Sequence, residues 1–503
     1  MRSDIDISLG HWLARRAERS PRRRALTFEG TTLTFAQLQE RVDRLASALR
    51  AGGVCHGDRV GFLGLNQPAF LETLFAASRL GAIFVPLNFR LSGPELAFII
   101  GDAGVHTLVV DAQHQPLIDG IRDGLPVRRH LNAEAELQDA IAQAEPLSDA
   151  EQLDPDEVAL IMYTSGTTGR PKGAMLTHGN LWWNNVASLH GIDTLESDVT
   201  LVCAPLFHIG GLNVTTLLAW HRGAEVVLHR SFDPGAVLAS IPEYGVTTMF
   251  GVPAMFLFMS QHPSFEATDL TSVRLFICGG APVPEPLIKL YNGRGIPIQQ
   301  GYGLTETSPS VSFLSNEFAL SKIGSAGRPA FLDDIRLAAP DGTVVTEPLE
   351  RGEICIKGPN VMKGYWNRPD ATAAAIDPEG WFHSGDLGYF DEDGFLYIVD
   401  RVKDMVITGG ENVYPAEVES VLYQHPAVAE VAVIGLPDDR WGEAVVAVVA
   451  LKEGNDLTLD QLRDFAGSSL ARYKLPSRLE LVEFLPRNPA GKVLKFELRE
   501  QLR

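Results

Sequence analysis

Through TLTFAQLQERVDRLASALRAGG, apolar side chains recur every three or four positions until Gly52 and Gly53 stop the run, and RVGFLGL follows as a nearly unbroken apolar segment. The first pattern predicts an amphipathic helix closed by glycine, the second a buried strand. The same pair returns in PAFLETLFAASRLGAIFVPLN and in PGAVLASIPEYGVTTMFGVP. Such alternation predicts sheets with helices packed on their faces, an α/β fold for the large N-terminal part. From Gly324 to Val399 short apolar runs are separated by Pro-Asp-Gly, Gly-Pro and Asp-Gly turn signals, which predicts β-hairpins and a β-rich subdomain. Beyond the polar segment DRVKD, a helix is predicted at PAEVESVLYQH, strands at AEVAVIGL and AVVAVVAL, and a further helix, together a small α+β domain. The boundary is placed at Asp400 to Asp404, giving a large domain over 1–400 and a small one over 401–503.

Length and charge narrow the function. At 503 residues the chain is long for one core, since domains run to roughly 100–200 residues. The 63 acidic side chains outnumber the 43 basic ones for a net charge of −20, which argues against nonspecific binding to nucleic acid or to an anionic membrane. Any phosphate site must therefore be local. Cys55, Cys203, Cys278 and Cys355 lie far apart, suggesting neither a zinc site nor a disulfide framework. The N-terminus lacks the apolar core of a secretion signal, and no stretch approaches the 18 or so apolar residues of a membrane span, so a cytoplasmic location is expected.

The strongest chemical signal is YTSGTTGRPKG, Tyr163 to Gly173, directly after the apolar run VALIM. Its glycines let backbone N–H groups approach a ligand, the neighbouring Ser165, Thr167 and Thr168 supply hydroxyls, and Lys172 supplies a cation, a combination suited to polyphosphate. Pro171 before the lysine and the position of Gly169 exclude the Walker pattern, and G-x-G-x-x-G is absent here too. In GYGLTE, Tyr302 can lie flat against a base, Thr305 can donate to a phosphate and Glu306 can hold Mg²⁺ through hard oxygens. A strand end and turn would explain that hexapeptide equally well. Asp386 in WFHSGDLG is either a turn residue or a carboxylate for two ribose hydroxyls, with Arg401 donating to the same sugar, and spacing leaves both readings open. In PRNPAGKV the turn residues present Lys492 near the chain end. An isolated lysine there is usually solvated, yet residues 472–503 carry eight Lys/Arg against four Asp/Glu, so an anionic ligand near this tail is expected.

Together these segments, with PLFHIGG, CGGAPVPE, DRVKDM and GGENVYPAEVE in the same order, resemble the adenylate-forming superfamily of acyl-CoA synthetases, luciferases and peptide-synthetase adenylation domains over nearly the whole chain. The resemblance implies dependence on ATP, Mg²⁺ and CoA. A carboxylate attacks the α-phosphorus to give an acyl-adenylate and pyrophosphate, and a thiol then captures the acyl group. By the same resemblance Thr164, Ser165, Gly166, Thr167, Thr168, Gly169 and Lys172 hold the phosphates, with Thr305 and Glu306 at the α-phosphate and magnesium. Gly280, Ala281, Pro282 and Tyr302 enclose adenine, and Asp386 with Arg401 holds the ribose. Lys492 bridges the substrate carboxylate and the α-phosphate, Lys403 occupies the hinge of a rotating C-terminal domain, and Gly409 and Gly410 line the thiol path.

Among the branches of this superfamily, an amino-acid adenylation domain needs a carboxylate near PLFHIGGLNV to pair a substrate ammonium, and none is there. The chain also stops soon after Lys492, leaving no carrier domain, so a stand-alone ligase using free CoA is expected. His208 is read as a gate at the acyl pocket, although a structural histidine fits nearly as well. Gly210, Gly211 and Val214 leave the pocket roomy and apolar, and LFICGG adds a small or apolar wall. With no Lys or Arg in either segment, malonate is disfavoured. A medium or long fatty acid is expected, with an aryl or other cyclic acid as the alternative and a homodimer left open. A luciferase-like monooxygenase would differ by oxygen uptake, and an inactive nucleotide-binding protein by the absence of pyrophosphate release.

Overall fold

The first predicted helix forms from Phe35 to Ala51, and its start is set by a reciprocal cap: the Thr34 side chain accepts from Gln37 N–H while the Gln37 side chain accepts from Thr34 N–H. Phe35, Leu38, Val42, Leu45 and Leu49 share its buried face. The strand Arg59–Leu63, the helix Pro68–Arg79 and the strand Ile83–Leu87 follow as the pattern predicts. The computed structural model describes residues 6–164, 171–281, 283–401, 404–408, 411–438, 441–467, 469–487 and 493–503, with the backbone alone at 401, 411 and 412.

The chain divides into two compact units, residues 1–334 with 356–382, and residues 335–355 with 383–503. The first unit is built on two sheets. One runs in the order Gly364–Tyr365, Lys172–Thr177, Val158–Thr164, Ile83–Leu87, Arg59–Leu63, Val105–Val110, Arg129–Asn132. In the other, Ile298–Gly303, Leu275–Cys278, Thr248–Gly251 and Val199–Val202 lie side by side, all parallel. Apolar strands and helices on their faces bury cores such as the one around Phe256, Phe276 and Tyr291. The second unit contains the hairpin Phe382–Phe390 and Leu396–Arg401. It also contains a sheet in which Val428–Asp438 and Gly442–Leu451 pair antiparallel and Arg478–Val482 adds parallel. The helix Pro415–Leu422 packs against that sheet. This is the mixed α/β architecture that the pattern predicts. Among the described residues no helix is long and apolar enough to cross a membrane.

Candidate active site

The strands Val158–Thr164 and Lys172–Thr177 pair antiparallel with Thr164 opposite Lys172, so the segment predicted to bind phosphate is flanked by paired strand ends. Ser165, Gly166, Thr167, Thr168 and Gly169 lie outside the described residues. At the foot of this segment the short strand Gly364–Tyr365 pairs with Met175 and Ala174. That pairing places Tyr365 beside Lys172, whose Nζ lies 4.5 Å from the centre of the Tyr365 ring. The Tyr365 hydroxyl donates to Glu306 Oε1 at 2.9 Å, and the Thr164 hydroxyl approaches the same oxygen at 3.4 Å. Met362 N–H donates to the Glu306 carbonyl at 2.8 Å, holding the turn that carries the carboxylate.

Asp102 supports this cluster from behind. The Tyr163 hydroxyl donates to its Oδ2 at 2.6 Å and Trp366 Nε1 donates to its carbonyl at 3.1 Å, so one residue anchors both the strand leading into the loop and the strand carrying Tyr365. Burial, reinforced by the Asp102 carboxylate, pushes the Tyr163 hydroxyl well above its usual range and keeps it a donor.

The parallel strands Leu275–Cys278 and Ile298–Gly303 end side by side and deliver two further groups of predicted residues. Gly280 (φ +82°) and Ala281 follow the first strand and are exposed, while Tyr302 and Thr305 are half-buried on and after the second. Pro282 lies outside the described residues. In the second unit Asp386 stands opposite Arg401 across the hairpin. Glu353 braces its turn, accepting from Gly385 N–H at 3.0 Å and pairing with His383 Nδ1 at 2.9 Å. Lys403, Gly409, Gly410 and Lys492 lie outside the described residues.

The predicted acyl-pocket residues follow Pro205 and Phe207. His208 Nε2 is shielded from solvent and has no hydrogen-bond partner among the described residues. Burial, helped by the positive charge of Arg90, lowers its pKa to about 4, so the imidazole is neutral at pH 7. A β-carbon on Gly210 would stand 3.0 Å from the Phe250 ring, whereas one on Gly211 would collide with the Pro205 carbonyl at 2.3 Å. Gly210 is therefore the position where a side chain would reshape the wall without displacing backbone. Val214 packs with Phe250, Leu218, Ile192 and Ile277, and Phe313 joins the cluster half-buried.

Beneath Ser308 lies a buried polar shelf. The Ser308 hydroxyl donates to the Asn360 carbonyl at 2.8 Å, and Asn360 Nδ2 donates to Asp333 Oδ2 at 3.2 Å. The Oδ1 atoms of Asp333 and Asn360 both lack partners among the described residues, and both lie within 2.7 Å of where a β-carbon on Gly358 would stand. Burial, with a further push from Asp334, raises the Asp333 pKa to about 8 against the one hydrogen bond that lowers it. Because the folded pKa lies above the unfolded one, stability from this group is full below about pH 4 and is lost as pH rises towards 8. Relative to Asp333→Asn, the wild type is expected to lose up to about 1.4 kcal/mol of stability per pH unit between pH 5 and 7. Urea unfolding at several pH values measures the difference, and parallel profiles would contradict the assignment.

Tyr365, Asp102, Phe250 and Phe313 are among the residues at this site that were not singled out in the sequence. Tyr365 carried one legible signal, the GYW run between turn residues, which marks a strand with a buried aromatic.

The fold, with its hydroxyl- and glycine-rich segment footed by a lysine and a carboxylate, defines the class of adenylate-forming ligases. The chain belongs to the AMP-binding enzyme family: the family's sequence model matches residues 13–366, and that of the AMP-binding enzyme C-terminal domain matches residues 417–492. It is 49% identical to a feruloyl-CoA synthase of Amycolatopsis sp, over 98% of this chain and 99% of the relative. It is 42% identical to the long-chain-fatty-acid–CoA ligase FadD13 of Mycobacterium tuberculosis, over 98% of each. The o-succinylbenzoate CoA synthetase of Bacillus subtilis, solved with its acyl-adenylate, superposes with a TM-score of 0.88 at 38% identity over 98% of both chains. The protein is an AMP-forming acid–thiol ligase, an ATP-dependent acyl-CoA ligase.

Proposed function

We propose that the acid this ligase activates is aromatic, of the arylalkenoic or arylalkanoic kind, and that the reaction proceeds through an acyl-adenylate. The observation that carries the acyl reading is the Phe250 ring. It lies against Gly210 and 3.7 Å from where a β-carbon on Gly279 would stand, so glycine at both positions lets a flat aromatic ring form part of the wall beside the predicted pocket residues, a surface suited to an aromatic acid. The small residues that predict a fatty acid from sequence serve this reading equally well. The 49% identity to a feruloyl-CoA synthase supports it, and the 42% identity to FadD13 favours a long-chain fatty acid as the second reading.

In this proposal Ser165, Thr167, Thr168 and Lys172 hold the β- and γ-phosphates and Thr305 the α-phosphate. Gly280, Ala281, Pro282 and Tyr302 enclose adenine, while Asp386 and Arg401 hold the ribose. The half-exposed Glu306 carboxylate, with the Thr164 hydroxyl beside it, offers hard oxygens that fit Mg²⁺. Bound there, the ion would neutralise charge on the polyphosphate. Lys492 supplies the cation that lets two anions approach. The segment from residue 401 onward acts as the small moving part, pivoting at Lys403, and Gly409 and Gly410 line the path of the thiol.

Cinnamic-type acids are expected to exceed dodecanoate in kcat/KM by at least tenfold, read as acyl-CoA by mass. The reverse order would establish the second reading. Gly210→Val, which crowds Phe250, should cut kcat/KM for bulky acids about tenfold and leave the KM for ATP within twofold. Equal loss for small and bulky acids would show collapse of the site instead.

A further inference from the structure

Tyr365 belongs to no segment used so far to explain nucleotide binding, yet it is the residue that ties two of those segments together. The residue is 6% exposed, and its backbone N–H donates to Thr372 Oγ1 at 2.8 Å, while its strand pairing with Ala174 fixes it against the foot of the phosphate loop. Its neighbours are fixed as well. Trp366 N–H donates to the Gly173 carbonyl at 2.8 Å, and Lys363 N–H donates to the Met175 carbonyl at 3.0 Å. The ring therefore has little freedom, and both of its faculties are in use. Its face receives the Lys172 ammonium at 4.5 Å and its hydroxyl reaches Glu306 Oε1 at 2.9 Å.

We infer that Tyr365 is a positioning residue for the metal–nucleotide complex, aiming one oxygen of Glu306 through its hydroxyl while its ring face fixes the direction of Lys172. The inference rests on the proposed role of Glu306 at magnesium. Its physical basis is the asymmetry of the carboxylate. Oε1 is taken by Tyr365 and Thr164, and Oε2 receives no hydrogen bond from a described residue, so one oxygen is anchored and the other is free to meet a cation. A carboxylate held by one oxygen loses less rotamer freedom on binding a metal than one swinging in solvent. The lysine contact is independent of the hydroxyl, since cation–π attraction requires only the ring.

The two contacts are separable by substitution. Tyr365→Phe keeps the ring and removes the hydrogen bond, and Tyr365→Leu removes both. The measurement is Mn²⁺ binding by electron paramagnetic resonance on the full chain with α,β-methylene-ATP, alongside nucleotide affinity at saturating Mn²⁺. Tyr365→Phe is expected to weaken Mn²⁺ binding about five- to tenfold with nucleotide affinity within twofold of wild type. Tyr365→Leu is expected to weaken Mn²⁺ similarly and nucleotide binding a further threefold or more. If Tyr365→Phe binds Mn²⁺ within twofold of wild type, or if the two variants are alike in both constants, the inference is wrong while the proposed function stands. A wild-type protein that binds no Mn²⁺–nucleotide overturns both.

Discussion

Lys492→Ala is expected to form acyl-adenylate at least about 10²-fold more slowly than wild type, the scale for removing a preorganised charge from a transition state, and still to convert pre-made acyl-adenylate and CoA to thioester at nearly the wild-type rate. The first step brings a carboxylate against a phosphate, two anions whose repulsion a lysine between them relieves. The second step begins from a mixed anhydride whose carbonyl carbon is attacked by a thiol, and no such repulsion remains. Gly409→Leu is expected to show the mirror image. It should release pyrophosphate normally and fail at thioester formation, because a side chain at the position proposed to line the pantetheine path would obstruct entry. The two half-reactions are assayed separately on each variant. Equal slowing of both steps by Lys492→Ala, or slowing of adenylation alone by Gly409→Leu, contradicts the division of labour between these residues.

Glu306→Gln carries the second large effect, an expected loss of about 10²-fold in pyrophosphate release at saturating ATP. The amide keeps the shape of the carboxylate, and its oxygen can still accept from Tyr365, so what disappears is the charge. The backbone contact from Met362 to the Glu306 carbonyl is untouched by the change, and thermal unfolding should move little. Rapid-quench measurement of pyrophosphate decides the matter. A loss of less than fivefold would remove Glu306 from the proposed magnesium site and with it the role given to Tyr365. Tyr365→Phe should cost less than Glu306→Gln, since it disturbs the aim of the carboxylate and leaves its charge in place.

What the sequence made legible follows physical range. The helix Phe35–Ala51 is readable because its cap lies three residues from its partner and its apolar face repeats locally. The phosphate segment is readable because glycines, hydroxyls and a lysine crowd into eleven consecutive residues. The hairpin Phe382–Phe390 with Leu396–Arg401 is readable because Asp393-Gly394 turns it, and Gly394 takes φ +76° there. Tyr365 stays hidden for the opposite reason. Its value comes from a pairing with Ala174, far away along the chain, and nothing local announces which strand will lie beside the lysine. Phe250 is hidden likewise, because its ring, on the strand Thr248–Gly251, meets Gly210 and Gly279 from distant parts of the chain. The adjacency of strands is a property of the whole sheet, so apolar periodicity can reveal that a strand exists and remain silent about its neighbour. Gly210 and Gly211 make the same point at shorter range. They are identical letters in sequence, but one faces an aromatic ring and the other a backbone carbonyl.

The central claim is that the acid is activated by attack of its own carboxylate oxygen on the α-phosphorus of ATP. Ferulate labelled with ¹⁸O in both carboxylate oxygens, turned over once with ATP, Mg²⁺ and CoA and followed by mass spectrometry of AMP, tests it directly. The bond formed joins carboxylate oxygen to phosphorus, and the thiol then breaks the bond from that oxygen to the acyl carbon, so AMP should carry one ¹⁸O and pyrophosphate none. AMP without label, or label in pyrophosphate, would contradict the account.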